Sequence, residues 1–394
     1  MEFELWWLIV IPVFFGLGWV ASRIDARHLI RQSSQLPDAY FKGLNFLLNE
    51  QPDKAIDAFV DVVKLDPETV ELHFALGNLF RRRGETDRAI RVHQSLVSRS
   101  DLLPEQREHA LFELGQDFLR AGLLDRAEDA FNRLEGTSYA AAALRHRLDL
   151  AQMVRDWPRA IELARRLQRD AADGARPPIA HFHCELAQQA IAGKAPDRDA
   201  QARREIDLAL QAGPAHPRPW LLRGEAAYAA DDVEGAIAAW TELERISPAH
   251  LGLIGERWLQ AHERAGRLDE GLARLEAVLA EHPSVDALRA VAQARARRDG
   301  PATAIAWLRA SLARTPSLLG LEQLLELQKQ PAGGELDADI ALTASLIQKQ
   351  AARLSRFVCG QCGFKARRFY WQCPGCNHWD SYPPRRTEEL EAES

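Results

Sequence analysis

Trp220–Pro248 reads W-L-L-R-G-E-A-A-Y-A-A-D-D-V-E-G-A-I-A-A-W-T-E-L-E-R-I-S-P. Its small and apolar residues recur at helical spacing on both sides of Asp231-Asp232. The stretch therefore predicts two helices joined by a short turn. Gly224 and Ala227 are small where one helix must approach the other, and Ala236 repeats that choice in the second helix. Trp240 and Leu243 are large where a gap between hairpins must be filled, and Pro248 ends the unit.

The pattern recurs from Leu36 to about Pro316. Gly43, Phe46, Ala55, Phe59, Val62 and Pro67 mark a first copy; Gly77, Phe80, Ala89, His93 and Leu96 a second; Gly115, Phe118, Ala127, Phe131 and Leu134 a third. A weaker fourth has Leu148, Ala151, Ala160, Ala164 and Leu167. The fifth (Ala187, Ala190, Ala202, Ile206, Ala209, Pro214) has a longer turn, Gly193 to Asp199. After the sixth come Gly271, Leu275, Val278 and Pro283, then Ala292, Ala304, Leu308 and Pro316. The period of about 35–36 residues is close to the roughly 34 of tetratricopeptide repeats. The expected fold is an all-α superhelix over residues 36–354, about eight to nine repeats, closed by helices around Leu318–Gln328 and Leu336–Leu354. An irregular helical bundle does not explain the recurring registers.

Such arrays bind partners and rarely catalyse, with first helices lining the inner face. Asn78, Arg81, Arg82, Gln116 and Arg120 are placed there as partner-binding candidates. The run Arg81-Arg82-Arg83 reads equally well as cations at a helix C-terminus, facing solvent. The chain has 394 residues, 46% hydrophobic and 27% charged, with a net charge of −6. That balance argues against nucleic acid as the main partner.

Four of the five cysteines lie in one segment, 355–382. Cys359 and Cys362 form one Cys-x-x-Cys pair, Cys373 and Cys376 another. Two such pairs place four thiolates at the corners of a tetrahedron, which suits zinc or iron. Two disulfides would need an oxidising compartment, and no βαβ pattern supports a thioredoxin-like site. Gly363 and Gly375 are expected at the sharp turns of the knuckles. Phe357, Phe364, Phe369, Tyr370, Trp371 and Trp379 are expected to pack around the ion, and a segment this short should need the metal to fold. Lys365, Arg367 and Arg368 lie among these aromatics; they read as a solvated hairpin or, less well, as a nucleic-acid contact.

Leu5–Ala21 carries no charge. As a helix it would rise about 26 Å, enough for a thin bilayer. Trp6, Trp7 and Trp19 sit near its ends, and Arg23, Arg27, His28 and Arg31 follow it. Residues 1–22 are therefore expected to be a single transmembrane anchor, and 23–35 a basic juxtamembrane linker. The N-terminus would lie outside and the body in the reducing cytoplasm, where thiolates stay available for a metal. A cleaved signal peptide would want basic residues before the apolar run. Residues 383–394, with Glu388, Glu389, Glu391 and Glu393, are expected to be a disordered tail.

No phosphate loop, nucleophile elbow, zincin helix or EF-hand loop is present. His181, His183 and Cys184 look like ligands, but residues two apart on a helix point to nearly opposite faces, which favours a packed repeat helix. The chain is read as a binding protein, not an enzyme.

The order of these parts, with G-L-N-F-L-L-N-E-Q-P-D-K-A-I-D-A-F (Gly43 to Phe59) and L-G-N-L-F-R-R-R-G-E-T-D-R-A-I-R-V-H-Q (Leu76 to Gln94), resembles the lipopolysaccharide assembly protein B family of Gram-negative bacteria. So do A-G-L-L-D-R-A-E (Ala121 to Glu128) and the cysteine segment. The resemblance implies an inner-membrane adaptor that restrains lipopolysaccharide synthesis. It would do so by promoting degradation of the lipid A deacetylase LpxC by the membrane protease FtsH, and would gather lipopolysaccharide enzymes at the membrane. It also implies a rubredoxin-type iron on Cys359, Cys362, Cys373 and Cys376; the spacing alone equally permits zinc. A generic membrane-anchored scaffold and a redox module using the four-cysteine site are the alternative readings.

Overall fold

The computed structural model describes residues 51–65, 69–170, 178–329 and 338–391, with positions 42, 43, 45, 46 and 49 before them. The expected anchor and juxtamembrane linker lie outside the described residues. Among the described residues no helix is long and apolar enough to cross a membrane.

The chain divides at Val154/Arg155 into two compact units. The first contains α1 (Pro52–Leu65), α2 (Val70–Arg82), α3 (Thr86–Ser98), α4 (Pro104–Arg120), α5 (Leu124–Asn132) and α6 (Ala140–Met153). The second contains α7 (Trp157–Asp170), α8 (Ile179–Ala192), α9 (Arg198–Ala212), α10 (Pro217–Ala229) and α11 (Val233–Ile246). A 3-10 turn (Pro248–Ile254) leads into α12 (Gly255–Arg264), α13 (Leu268–Glu281), α14 (Val285–Asp299) and α15 (Pro301–Arg314). α16 (Leu318–Lys329) and α17 (Ala338–Leu354) come next, then β1 (Phe357–Val358), β2 (Lys365–Ala366) and α18 (Thr387–Glu391).

The repeat logic is visible in the packing. A Cβ on Gly43 would lie 2.8 Å from the Phe59 ring, and one on Gly115 2.7 Å from the Phe131 ring. Gly77 meets the His93 ring and Gly224 the Trp240 indole more closely still. A glycine in the first helix thus admits the large ring of the second. Phe59, His93, Phe131 and Trp240 are all buried, and each hairpin's core depends on this pair. The turns are local too. Gly84, Gly122, Gly266 and Gly300 follow their helices with positive φ, and Asp231 takes the same conformation at φ 66°. Side-chain caps start the following helices: Asp232 accepts from the Gly235 amide at 2.9 Å, and Ser317 Oγ from the Gly320 amide at 2.8 Å.

In the first unit a polar cluster crosses from one hairpin to the next. Arg81 of α2 pairs with Glu113 and with Asp117 (2.9 Å) of α4, and His93 Nδ1 lies 2.5 Å from Asp117 Oδ2. Asp117 and His93 are fully buried. Arg81 also donates to Asn78 Oδ1. The hydrogen bonds from His109 and Arg81 outweigh burial and hold the Glu113 carboxyl down at about 2.

Candidate metal module and its docking surface

β1 and β2 pair antiparallel, Phe357 opposite Ala366 and Val358 opposite Lys365. They frame the first knuckle, in which Cys359 N–H donates to the Phe364 carbonyl and Gly363 N–H to the Cys359 carbonyl. The second knuckle repeats this: Cys373 N–H donates to the His378 carbonyl and Asn377 N–H to the Cys373 carbonyl. Gly363 turns at φ 72°, as expected. The second turn differs from expectation. Asn377, not Gly375, holds the left-handed conformation, at φ 60°. The Asn377 amide closes the turn two residues after Gly375. Gly375 is small for another reason: a Cβ there would lie 3.1 Å from the Phe364 ring.

The four sulfurs converge. Cys359 Sγ lies 3.7 Å from Cys376 Sγ, and Cys362 Sγ 3.7 Å from Cys373 Sγ. All four fall within 4.8 Å of one another, and none is in a disulfide. A metal–sulfur bond of about 2.3 Å puts the corners of a tetrahedron about 3.8 Å apart, so the set fits one ion. The electrostatics agree. Burial opposes the Cys359 thiolate, but hydrogen bonds from Ser381 and the Cys362 and Gln361 amides outweigh it and bring the thiol down to about 6. At Cys376 the His378 amide favours the thiolate, yet burial and the three neighbouring thiols push it up to about 12. Four thiolates this close coexist only around a cation, which is the charge a bound ion supplies.

The aromatics divide. Phe357 and Tyr382 are buried beside Cys359 and Cys373, with Phe369 and Tyr370 packed against them. Trp371 and Trp379 do not surround the sulfurs; both face the repeats. Trp379 lies 4.4 Å from the His181 ring and edge-on to Trp157 and Phe182. Trp371 stacks on His250 at 5.2 Å. Between the two indoles sits the Arg218 guanidinium, 5.8 and 5.7 Å from their rings. Arg218 is buried and also bonds Glu185 (2.6 Å), Gln188 (2.9 Å) and His181 Nδ1 (3.1 Å). Leu253 packs against the module's own core.

Asp380 completes the joint. Its carboxylate lies 2.9 Å from His181 Nε2 and 3.2 Å from His216 Nε2. His181, His216 and Asp380 are close enough to ligate a metal. The hydrogen bonds argue otherwise. Arg218 donates to His181 Nδ1, so the imidazole carries its proton on Nε2 and gives it to Asp380. Burial works against the Asp380 carboxylate, but the two histidine hydrogen bonds win and hold it well below the usual range. Burial pulls His181 down to about 4 and His250 likewise.

The tail is not disordered over 383–391, contrary to expectation. Arg386 bridges Asp286 and the Ser355 carbonyl, its guanidinium over the Phe357 ring. Glu389 accepts from the Val285 amide and Glu388 from the Leu318 amide and Ser317 Oγ. These amides are unpaired donors at the starts of α14 and α16, where a carboxylate is favoured. The acidic run is therefore held because its charges cap helices far away in sequence. His181, His216, Val285 and Leu318 lie at the starts of α8, α10, α14 and α16, and His250 lies in the 3-10 turn that leads into α12; the five positions stand one repeat apart. The module and tail lie along that row of N-terminal ends.

Of the sequence candidates, Cys359, Cys362, Cys373 and Cys376 come together. Asn78 and Arg81 are engaged in the polar cluster described above. Arg82 and Arg120 are exposed and Gln116 half-buried. His181, His183 and Cys184 diverge: His183 bonds Glu205 at 2.7 Å, and the buried Cys184 thiol is pushed up to about 12. His216, Arg218, His250 and Asp380 were missed, although histidine recurring at the repeat period was a readable signal.

Fold and site define a tetratricopeptide-repeat protein carrying a rubredoxin-like metal module. Residues 42–101 and 257–318 match the tetratricopeptide repeat profile, and 357–383 the rubredoxin metal binding domain. Over 96% of its length the chain is 33% identical to lipopolysaccharide assembly protein B of Escherichia coli K12, of which it covers 97%. It is 28% identical to the protein of that name from Haemophilus influenzae, over 97% of this chain and 98% of that one. A tetratricopeptide repeat protein from Parabacteroides merdae aligns over 74% of the chain and 98% of its own, with a TM-score of 0.33 and 15% identity. The chain belongs to the lipopolysaccharide assembly protein B family.

Proposed function

We propose that this chain is an inner-membrane adaptor that restrains lipopolysaccharide synthesis by bringing the deacetylase LpxC to an FtsH-type protease, and that it gathers synthesis enzymes there. The observation that carries this reading is the match along almost the whole chain to lipopolysaccharide assembly protein B. The repeats supply a binding scaffold, and no catalytic role is assigned to it. A single span over residues 1–22, N-terminus periplasmic, would hold the array where a membrane protease works and raise the effective concentration of client and protease. Cys359, Cys362, Cys373 and Cys376 would hold one ion, iron by family resemblance with zinc as the alternative.

The test is a pull-down from solubilised membranes together with LpxC turnover in cells. Protease and deacetylase should both be enriched, and deleting the gene should lengthen the deacetylase half-life. Enrichment of other envelope proteins without these two would leave a generic scaffold. A visible spectrum and metal analysis of aerobically purified protein separate iron from zinc, and stoichiometric zinc would exclude the redox-module alternative.

A further inference from the structure

A cavity of about 490 Å³ lies between α13, α14, α15 and the tail. That is the size of an ordinary small-ligand pocket. Its walls include Leu279, Pro283, Val285, Leu288, Trp307 and Pro316.

The charged side chains in the wall are Glu276, Arg314, Glu388 and Glu389. Three are committed. Glu276 pairs with Arg295 at 2.7 Å. Glu388 and Glu389 accept from the amides that start α16 and α14. Arg314 has no partner among the described residues and is exposed at the end of α15. One turn earlier on the same helix face is Ser311, also in the wall and only 8% exposed. Its Oγ has no hydrogen-bond partner. A hydroxyl buried without a partner is destabilising, and a ligand's polar group would relieve it.

The wall thus offers an apolar body, one buried hydroxyl and one uncommitted positive charge. We propose that this cavity binds a small amphiphilic carboxylate, its apolar chain against Trp307 and Leu288 and its carboxylate between Ser311 Oγ and the Arg314 guanidinium. Trp307 has the Arg295 guanidinium 5.5 Å from its ring on one side, so the ligand would meet the rest of the indole. The proposal is independent of the adaptor reading, since it concerns neither the metal nor the anchor.

The test is calorimetric titration of the full chain with decanoate, alongside decanol and decylammonium. Ala280→Trp, which blocks the cavity wall from an exposed position, serves as the reference that subtracts partitioning. The expected result is one saturable decanoate site that Ala280→Trp lacks. Arg314→Glu should weaken it about tenfold while leaving decanol binding unchanged, and Ser311→Ala should weaken it a few-fold. Thermal melting of each variant checks that it folds. No saturable difference from Ala280→Trp overturns the proposal. So does decanoate binding no tighter than decanol or decylammonium, or decanoate binding that ignores Arg314→Glu.

Discussion

Two places in the molecule use the same three groups, a histidine, an aspartate and an arginine, and use them differently. In the first unit His93, Asp117 and Arg81 meet across neighbouring hairpins. In the second, His181, Asp380 and Arg218 meet between a repeat and the metal module. The Asp117 side chain is 0% exposed and that of Asp380 52% exposed. A sealed carboxylate must keep its partners while the chain is folded, because water cannot replace them. A half-open one can exchange its partners for water at small cost. The first cluster is therefore part of the fold, and the second is a joint between two bodies that fold for different reasons.

Removing the metal site should separate the two most strongly. Cys359→Ser with Cys362→Ser leaves two ligands for an ion that needs four, and the module has little other core. Hydrogen exchange should become fast throughout 357–382 and rise at the starts of α8 and α10, which Trp371 and Trp379 cover. The segment around His93 and Asp117 should keep its protection. Loss of protection in both units alike would show that they are not energetically distinct.

The reverse experiment is Asp117→Ala. It leaves His93 Nδ1 and the Arg81 guanidinium facing a buried gap, which costs roughly 3–5 kcal/mol for a paired charge in the interior. Chemical denaturation should show the first unit weakened by that order, with the metal module's exchange unchanged. A loss under about 1 kcal/mol would mean that the cluster is hydrated.

This difference also decides what could be read from the sequence. Gly77 and His93, or Gly224 and Trp240, sit on adjacent helices of one hairpin, so their relation repeats with the period and is visible in one dimension. The knuckle cysteines are legible for the same reason. The joint is not. Trp371 and Trp379 are large and apolar beside four cysteines, and nothing local says that they turn away towards Arg218. Glu388 and Glu389 look solvated because the amides they cap belong to Val285 and Leu318, whose unpaired donors are a property of helix ends rather than of side chains. Asn377 takes a left-handed turn that glycine would have advertised. Arg81 was legible as a cation on a first helix, but its pairing with Glu113 and Asp117 depends on the next hairpin's register.

Acid should loosen the two places in different windows. The folded pKa of His181 is depressed by burial from 6.5 to about 4, with Arg218 and His216 adding to it and Asp380 opposing. Because the unfolded histidine takes its proton first, this contribution is complete above about pH 6.5 and is lost as pH falls towards 4. The full loss is roughly 3 kcal/mol. His250 is shifted the same way. Glu113, depressed to about 2 in the first unit, contributes above about pH 4.5 and is lost only below it. Exchange of the module against pH should therefore rise between pH 6.5 and 4 while the first unit stays protected. Coincident transitions would mean that His181 is not shielded by the module.

The smallest expected effect is the one that identifies what holds the joint. Asp380→Asn keeps the shape and still offers His181 Nε2 an oxygen to bond, but removes the charge. If the joint rests on the two indoles, Arg218 and the buried imidazole, the loss should be about 1 kcal/mol or less, because the carboxylate is half in water. Protection of the Cys373–Ser381 segment should then fall by less than about tenfold, and high salt should bring the wild-type chain close to the variant. A much larger fall, unaffected by salt, would move the weight of the joint onto the carboxylate. It would also make Asp380 a group as deeply committed as Asp117, and the distinction between a sealed cluster and an open one would fail at that residue.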